Sequence, residues 1–181
     1  KHGLEDIIGV STGVRSPGLH MSDIYNRLYQ QLEPKRYVKD STPDVLRMEA
    51  GLAFEDMLEE GLKRRLTGSE RPGEFTTLEG ILYTPDLIIF DHAPACRLGE
   101  IKLTWLSSKE VPRDAANFFP PQCNKWLPQM KAYSYHLELT HARLLAYFVN
   151  GDYRPPRPEL LAWAIEWTQR ELQENWQMLL N

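Results

Sequence analysis

The stretch Thr84–Thr104, TPDLIIFDHAPACRLGEIKLT, constrains the fold more than any other. Two apolar runs, Asp86–Asp91 and Arg97–Thr104, flank a short loop containing Pro94, the pattern of a β-hairpin. Side chains alternate between the faces of a strand, so Glu100 and Lys102 share one face while Ile101 and Leu103 share the other. With the two strands paired, Asp86 at the mouth of the first reaches the carboxylate of Glu100 across the ladder. Two carboxylates and an amine therefore converge on one point of a sheet.

Neighbouring acids resist ionising together unless a cation lies between them, and oxygen donors on rigid strands suit Mg²⁺ or Mn²⁺. The same repulsion predicts that Asp86→Ala or Glu100→Ala leaves folding intact. An ordinary hairpin carries Glu-x-Lys as a solvated charge pair, so the flanking elements must decide between a pair and a site.

With 181 residues, 42% of them hydrophobic, the chain can bury the core of one domain, and it has no apolar run of about 18 residues that would span a bilayer. No signal-peptide pattern opens it. Cys96 and Cys123 have no Cys-x-x-Cys spacing and build no disulfide framework, which fits the reducing cytoplasm of a bacterial cell or a phage-infected host. A formal charge of −4 gives no global attraction to nucleic acid. The charge is uneven, however: Lys35, Arg36 and Lys39 cluster, as do Lys63, Arg64 and Arg65, and Arg154 and Arg157, while Glu159, Glu166, Glu171 and Glu174 crowd the C-terminal segment. A basic groove on an acidic protein is compatible with that pattern.

In chain order, residues 1–20 hold Gly9, Gly13, Pro17 and Gly18 without a clear period and read as an arm. Ser22 caps an expected helix over Asp23–Glu33, with Ile24, Leu28 and Leu32 inward. Ser41-Thr42-Pro43-Asp44 opens a second helix, running to Leu66 before Gly68. Leu46, Ala50, Phe54, Leu58 and Leu62 form its inward stripe, and Glu55 flanks that stripe beside Leu58 and Leu62, where a carboxylate needs a partner. Strands over Phe75–Thr77 and Gly80–Tyr83 join the hairpin in a meander turning at Glu79-Gly80. Trp105–Asn117 reads as a loop with a short helical turn. Pro120-Pro121 precedes a helix in which Pro128 marks a kink or a start near Leu127, with Trp126, Met130, Tyr133 and Leu137 as its core stripe. His141–Asn150 is a continuous apolar strand, central or parallel. A connector rich in proline, 151–158, leads to an amphipathic helix expected over about 159–180 with Leu160, Trp163, Trp167, Leu172 and Trp176 inward.

Pro85-Asp86 followed by Glu100-Ile101-Lys102 resembles the signature of the PD-(D/E)XK nuclease superfamily, and the order of elements resembles its restriction-endonuclease-like core, an α/β fold with a mixed central sheet flanked by helices. Gly51-x-x-x-Glu55 and Gln129-x-x-x-Tyr133 are similar to motifs of the branch containing lambda-type exonucleases, the RecB nuclease domain and the nucleases of CRISPR adaptation. The matches span about Met48 to Phe148. Two departures separate the chain from parts of that branch: no His lies in 43–66, as the RecB arrangement would have it, and two cysteines cannot hold an iron–sulfur cluster. Gly151-Asp152-Tyr153 with the connector looks similar to phage-encoded members.

The resemblance implies a metal-dependent deoxyribonuclease forming one domain over 1–181, an exonuclease acting on DNA ends in recombination or repair. Asp86, Glu100, the Ile101 carbonyl and Glu55 would hold Mg²⁺ or Mn²⁺. Lys102 would stabilise charge on the phosphate, with Gln129 and Tyr133 completing the catalytic set. Lys35, Arg36, Lys125 and Lys131 are candidate nucleic-acid contacts. DNA, sister subunits ringing the duplex and a recombination protein are the implied partners. The alternative is a nucleic-acid-binding module that keeps the fold without the chemistry.

Overall fold

The computed structural model describes residues 16–32, 45–64, 68–91, 95–111, 126–149 and 159–181. Its elements are helices α1 (Met21–Leu32) and α2 (Val45–Lys63), strands β1 (Ser69–Glu70), β2 (Phe75–Thr76), β3 (Leu82–Tyr83), β4 (Leu87–Asp91) and β5 (Ala95–Thr104), a 3₁₀ turn (Ser108–Glu110), helix α3 (Trp126–His136), strands β6 (His141–Phe148) and β7 (Glu159–Glu166), and helix α4 (Gln169–Leu180). Residues 1–15 of the arm, the capping segment 41–44, the segment 112–125 with Cys123, and the connector 151–158 lie outside the described residues.

Five strands form a mixed sheet in the order β1-β4-β5-β6-β7, flanked by helices. The expected hairpin is present as β4 against β5, with Leu87 opposite Gly99 and Asp91 opposite Ala95. Gly99 lets the strands close, since a Cβ there would stand 2.9 Å from Leu87 Cβ. The apolar run after α3 is β6, parallel to β5 and enclosed by β7 on its other side, as continuous burial demands. Among the described residues no helix is long and apolar enough to cross a membrane.

One sheet face packs Leu87, Ile89, Ile101 and Leu145 against Leu58 and Leu62 of α2, with Phe54 stacked on Tyr147 at 5.4 Å. The opposite face and helices α1, α3 and α4 build the larger core around Leu98, Leu144, Phe148, Met130, Leu172 and Trp176. Burying side chains of this size contributes roughly 1.5–3 kcal/mol each.

Several elements differ from the sequence reading. The C-terminal segment is not one helix: 159–166 is the edge strand β7, whose Trp163 and Ile165 are buried while Ala162, Ala164 and Glu166 are exposed. Helix α4 begins only after Thr168, whose hydroxyl accepts from the Glu171 N–H while the Glu171 carboxylate takes the Thr168 N–H. Ser22 lies inside α1 and does not cap it; the Asp23 carboxylate accepts from the His20 N–H instead. Met21 and Tyr25 are the buried residues of α1, and Leu32 is exposed. Strands β2 and β3 pair as a separate ribbon, while β1, not foreseen, forms the edge beside β4.

Candidate metal centre

Strand β5 outlasts its neighbour. Its pairing with β4 ends at Gly99 opposite Leu87, whereas against β6 it continues to Thr104. Past Gly99 the edge of β5 that faced β4 needs a new acceptor, and Asp86 supplies it: Asp86 Oδ2 accepts from the Ile101 N–H at 2.8 Å. The N–H and C=O of one strand residue leave by the same edge, so the Ile101 carbonyl also points into this notch.

Glu100 and Lys102 share one face, as their spacing requires, and Lys102 Nζ donates to Glu100 Oε1 while standing 3.8 Å from Asp86 Oδ2. The Glu100 side chain is 1% exposed, and its Oε2 is buried without a hydrogen-bond partner among the described residues. Burial first, then the charge of Asp86, pushes the Glu100 carboxyl up to about 8, and Lys102 opposes the shift. Burial disfavours charge on Lys102, but Glu100 and Asp86 outweigh it and hold the ammonium well above its ordinary pKa.

Helix α2 brings in Glu55 by docking Leu58 and Leu62 on the sheet. Burial, followed by Asp86, raises its carboxyl to about 7, and Lys102 counters that rise. Helix α3 brings in Gln129 and Tyr133, one turn apart, with Gln129 Nε2 donating to the Tyr133 hydroxyl at 2.8 Å. Burial and then Glu100 raise the Tyr133 phenol above its usual range. The structure thus gathers Asp86, Glu100, Lys102, Glu55 and Tyr133 into one electrostatic cluster, with Gln129 beside it.

Two further residues escaped sequence reasoning. Tyr25 OH and Asn175 Nδ2 both donate to the Pro128 carbonyl, at 2.8 and 3.0 Å, fixing the turn that precedes Gln129. Pro128 sits in the first turn of α3, where its missing N–H would have no intrahelical partner.

No described protein family matches the sequence of this chain, and no curated protein does either. Among solved structures, the crystal structure of SSO0001 matches with a TM-score of 0.52 at 14% identity, over 98% of this chain and 81% of that one. That likeness shows the fold alone.

Among the candidate nucleic-acid contacts, Lys35, Arg36 and Lys125 lie outside the described residues. Lys131 is described, and its ammonium is engaged, 5.0 Å from the centroid of the Trp167 ring and 3.9 Å from Glu171 Oε1. That pairing competes with a phosphate for it.

Among the described residues no three His, Cys, Asp or Glu side chains form a ready-made cage for an ion. The donors on offer are the carboxylates of Asp86 and Glu100, the Ile101 carbonyl and, farther out, Glu55. Mg²⁺ takes one or two carboxylates, keeps several waters and accepts substrate oxygens for the rest, so this donor set fits it. The unpartnered Glu100 Oε2 and the raised carboxyls of Glu100 and Glu55 are features that a divalent cation would relieve.

Proposed function

We propose that this chain is a metal-dependent deoxyribonuclease that hydrolyses DNA phosphodiesters, with an exonuclease acting on DNA ends as its specific form. The observation that carries the reading is Glu100: a fully buried carboxylate with an unpartnered oxygen, held against Lys102 beside Asp86. Structural ion pairs in a sheet rarely leave a buried oxygen orphaned, because desolvation without compensation costs several kcal/mol.

Asp86, Glu100 and the Ile101 carbonyl would hold Mg²⁺ or Mn²⁺, with Glu55 at its margin. When bound, the ion supplies Lewis acidity at the phosphate and a lowered pKa for water. Lys102 points its ammonium at the same place and stabilises the charge that builds on the phosphate oxygens. Water forms the new O–P bond and releases a proton to solvent, while the P–O bond to the sugar oxygen on the far side breaks and that oxygen takes up a proton from solvent. Gln129 and Tyr133 orient the groups around Lys102. The exonuclease form rests on the likeness of Gly51-x-x-x-Glu55 and Gln129-x-x-x-Tyr133 to the lambda-type branch.

End-labelled linear duplex, closed circular duplex and single strands, each incubated with Mg²⁺ or with chelator, test this directly. Loss of label from linear DNA only when Mg²⁺ is present is the expected result. DNA binding without cleavage in Mg²⁺ would favour the binding-module alternative.

A further inference from the structure

The β2–β3 ribbon, the end of α3 and the start of α4 enclose an open pocket of about 670 Å³. Thr76 and Leu78 line it from the ribbon, Tyr135, His136 and Glu138 from the end of α3, and Gln169 from α4. The volume suits one small ligand.

The rings of this pocket are braced from behind. Tyr135 stacks on the buried Trp176 at 6.1 Å, and His136 meets the same indole edge-on at 4.3 Å. The Tyr135 ring, backed by Trp176, is a stacking platform, and the His136 ring stands at 85° to it as a side wall. Leu78 is fully exposed at the pocket, apolar surface that a ring would cover.

The charged group among these lining residues is the Glu138 carboxylate, since burial lowers the pKa of His136 and keeps it neutral at pH 7. Glu138 takes the left-handed backbone, φ 56°, just past the end of α3, where the Leu139 N–H returns to the Ser134 carbonyl. An acidic wall repels phosphate and accepts amino hydrogens.

The pocket adjoins the cluster around Glu100. The Tyr83 ring, which lines it, lies 5.4 Å from that of Tyr133 and 5.7 Å from that of His136. Tyr83 precedes Asp86 by three residues, a span of at most about 11 Å, and His136 follows Tyr133 by about one turn of α3.

We infer that this pocket binds a nucleobase carrying an exocyclic amino group, cytosine, adenine or guanine in preference to thymine. The base stacks on the Tyr135 ring with His136 at its edge and donates to Glu138, as cytosine N4 does to acidic side chains elsewhere. The assignment of that base to the strand being cut rests on the nuclease reading. A free nucleoside offers the same chemistry.

The test is binding by the full chain in chelator, so that nothing is cut. Fluorescence anisotropy compares short oligodeoxycytidylate, oligodeoxyadenylate and oligothymidylate on the wild type and on Glu138→Gly, with cytidine and thymidine as competitors. Glycine adopts the backbone of position 138 without strain, so this variant folds, with a melting temperature at or above that of the wild type. The expected result is about tenfold tighter binding of the cytidylate and adenylate oligomers than of thymidylate, with both preferences lost in Glu138→Gly. Where the oligomer preference is seen, displacement of the cytidylate oligomer by cytidine and not by thymidine also supports the pocket and adds free nucleosides as a source of ligand. Equal binding of all bases, or a preference that survives Glu138→Gly, overturns it. If Mg²⁺-dependent cleavage is seen while the preference is absent, the pocket fails and the nuclease reading stands. If base-selective binding is seen in a chain that cuts nothing with Mg²⁺ or Mn²⁺, the nuclease reading fails and the pocket stands.

Discussion

Replacing Glu100 with glutamine tests whether the acid cluster is as strained as its surroundings imply. Burial and Asp86 push the Glu100 carboxyl up to about 8 in the folded chain, against about 4.3 when unfolded. The unfolded chain therefore releases this proton first as pH rises. Stability associated with the protonated group is fully present below about pH 4 and is lost as pH rises through 8. For a shift of this size the loss is on the order of 5 kcal/mol by pH 9, roughly 15 °C in melting temperature for a chain of this length. Glutamine stays neutral throughout. Urea unfolding of both proteins in chelator at pH 5, 7 and 9 should show near-equal stability at pH 5 and a variant several kcal/mol more stable at pH 9. Glu55, raised to about 7, adds a slope of the same sign. His136, whose pKa burial lowers, adds one of opposite sign below about pH 6.5. The His136 contribution is common to the two proteins, whereas Glu55 feels the Glu100 charge, so the difference between them reports Glu100 together with its influence on Glu55. Parallel curves, or a variant less stable at every pH, would mean that the Lys102 pair outweighs desolvation and that Glu100 ionises comfortably.

Asp86→Ala should abolish Mg²⁺-dependent cleavage and also cost about 1–3 kcal/mol by urea unfolding, because the Ile101 N–H loses its acceptor. This replaces the expectation of intact stability drawn from repulsion alone, and Asp86→Asn, which retains an acceptor oxygen, should recover most of the stability and none of the activity. Lys102→Ala should lower turnover about 100- to 1000-fold while DNA affinity in chelator changes little; equal losses of both would make Lys102 a phosphate clamp. Glu55→Gln should raise the Mg²⁺ concentration needed for half-maximal cleavage, and an unchanged requirement would remove Glu55 from the metal's surroundings. Thr168→Ala, which breaks the reciprocal cap of α4, should cost about 1 kcal/mol with cleavage unaffected.

The sheet was legible wherever burial follows a strong period. The hairpin and the parallel β6 announce themselves as apolar runs bounded by turn residues. The segment 159–180 misled because its tryptophans satisfy two periods at once. Leu160, Trp163 and Trp167 fit one helical face, while Leu161, Trp163, Ile165 and Trp167 alternate as a strand, and tertiary pairing of β7 with β6 decided for the strand. The local clue was Thr168-x-x-Glu171, a capping box in the middle of the supposed helix. Leu32 misled in a simpler way: Ile24 and Leu28 pack against the core beside the buried Met21 and Tyr25, but Leu32, the last residue of α1, is exposed.

Within the site, the pairs set by local geometry were legible, Glu100 with Lys102 across two strand residues and Gln129 with Tyr133 across one helical turn. Contacts made at long range were not. Tyr25 and Asn175 reach the Pro128 carbonyl from 103 and 47 residues away, and no periodicity encodes such a meeting. The notch beside β5 is likewise a property of two strands of unequal length. That notch bears on what each acid signifies. A strand that outlasts its neighbour needs an acceptor for its exposed N–H, and the Asp86 carboxylate provides one, so the fold alone accounts for an acid at 86. Nothing comparable accounts for Glu100. No described backbone group takes its second oxygen, Lys102 satisfies only the first, and an apolar residue on that face would join the core of Leu98 and Leu144 at no electrostatic cost. A carboxylate that the fold tolerates but does not need is the stronger sign of chemistry, which is why the proposed activity rests on Glu100 more than on Asp86.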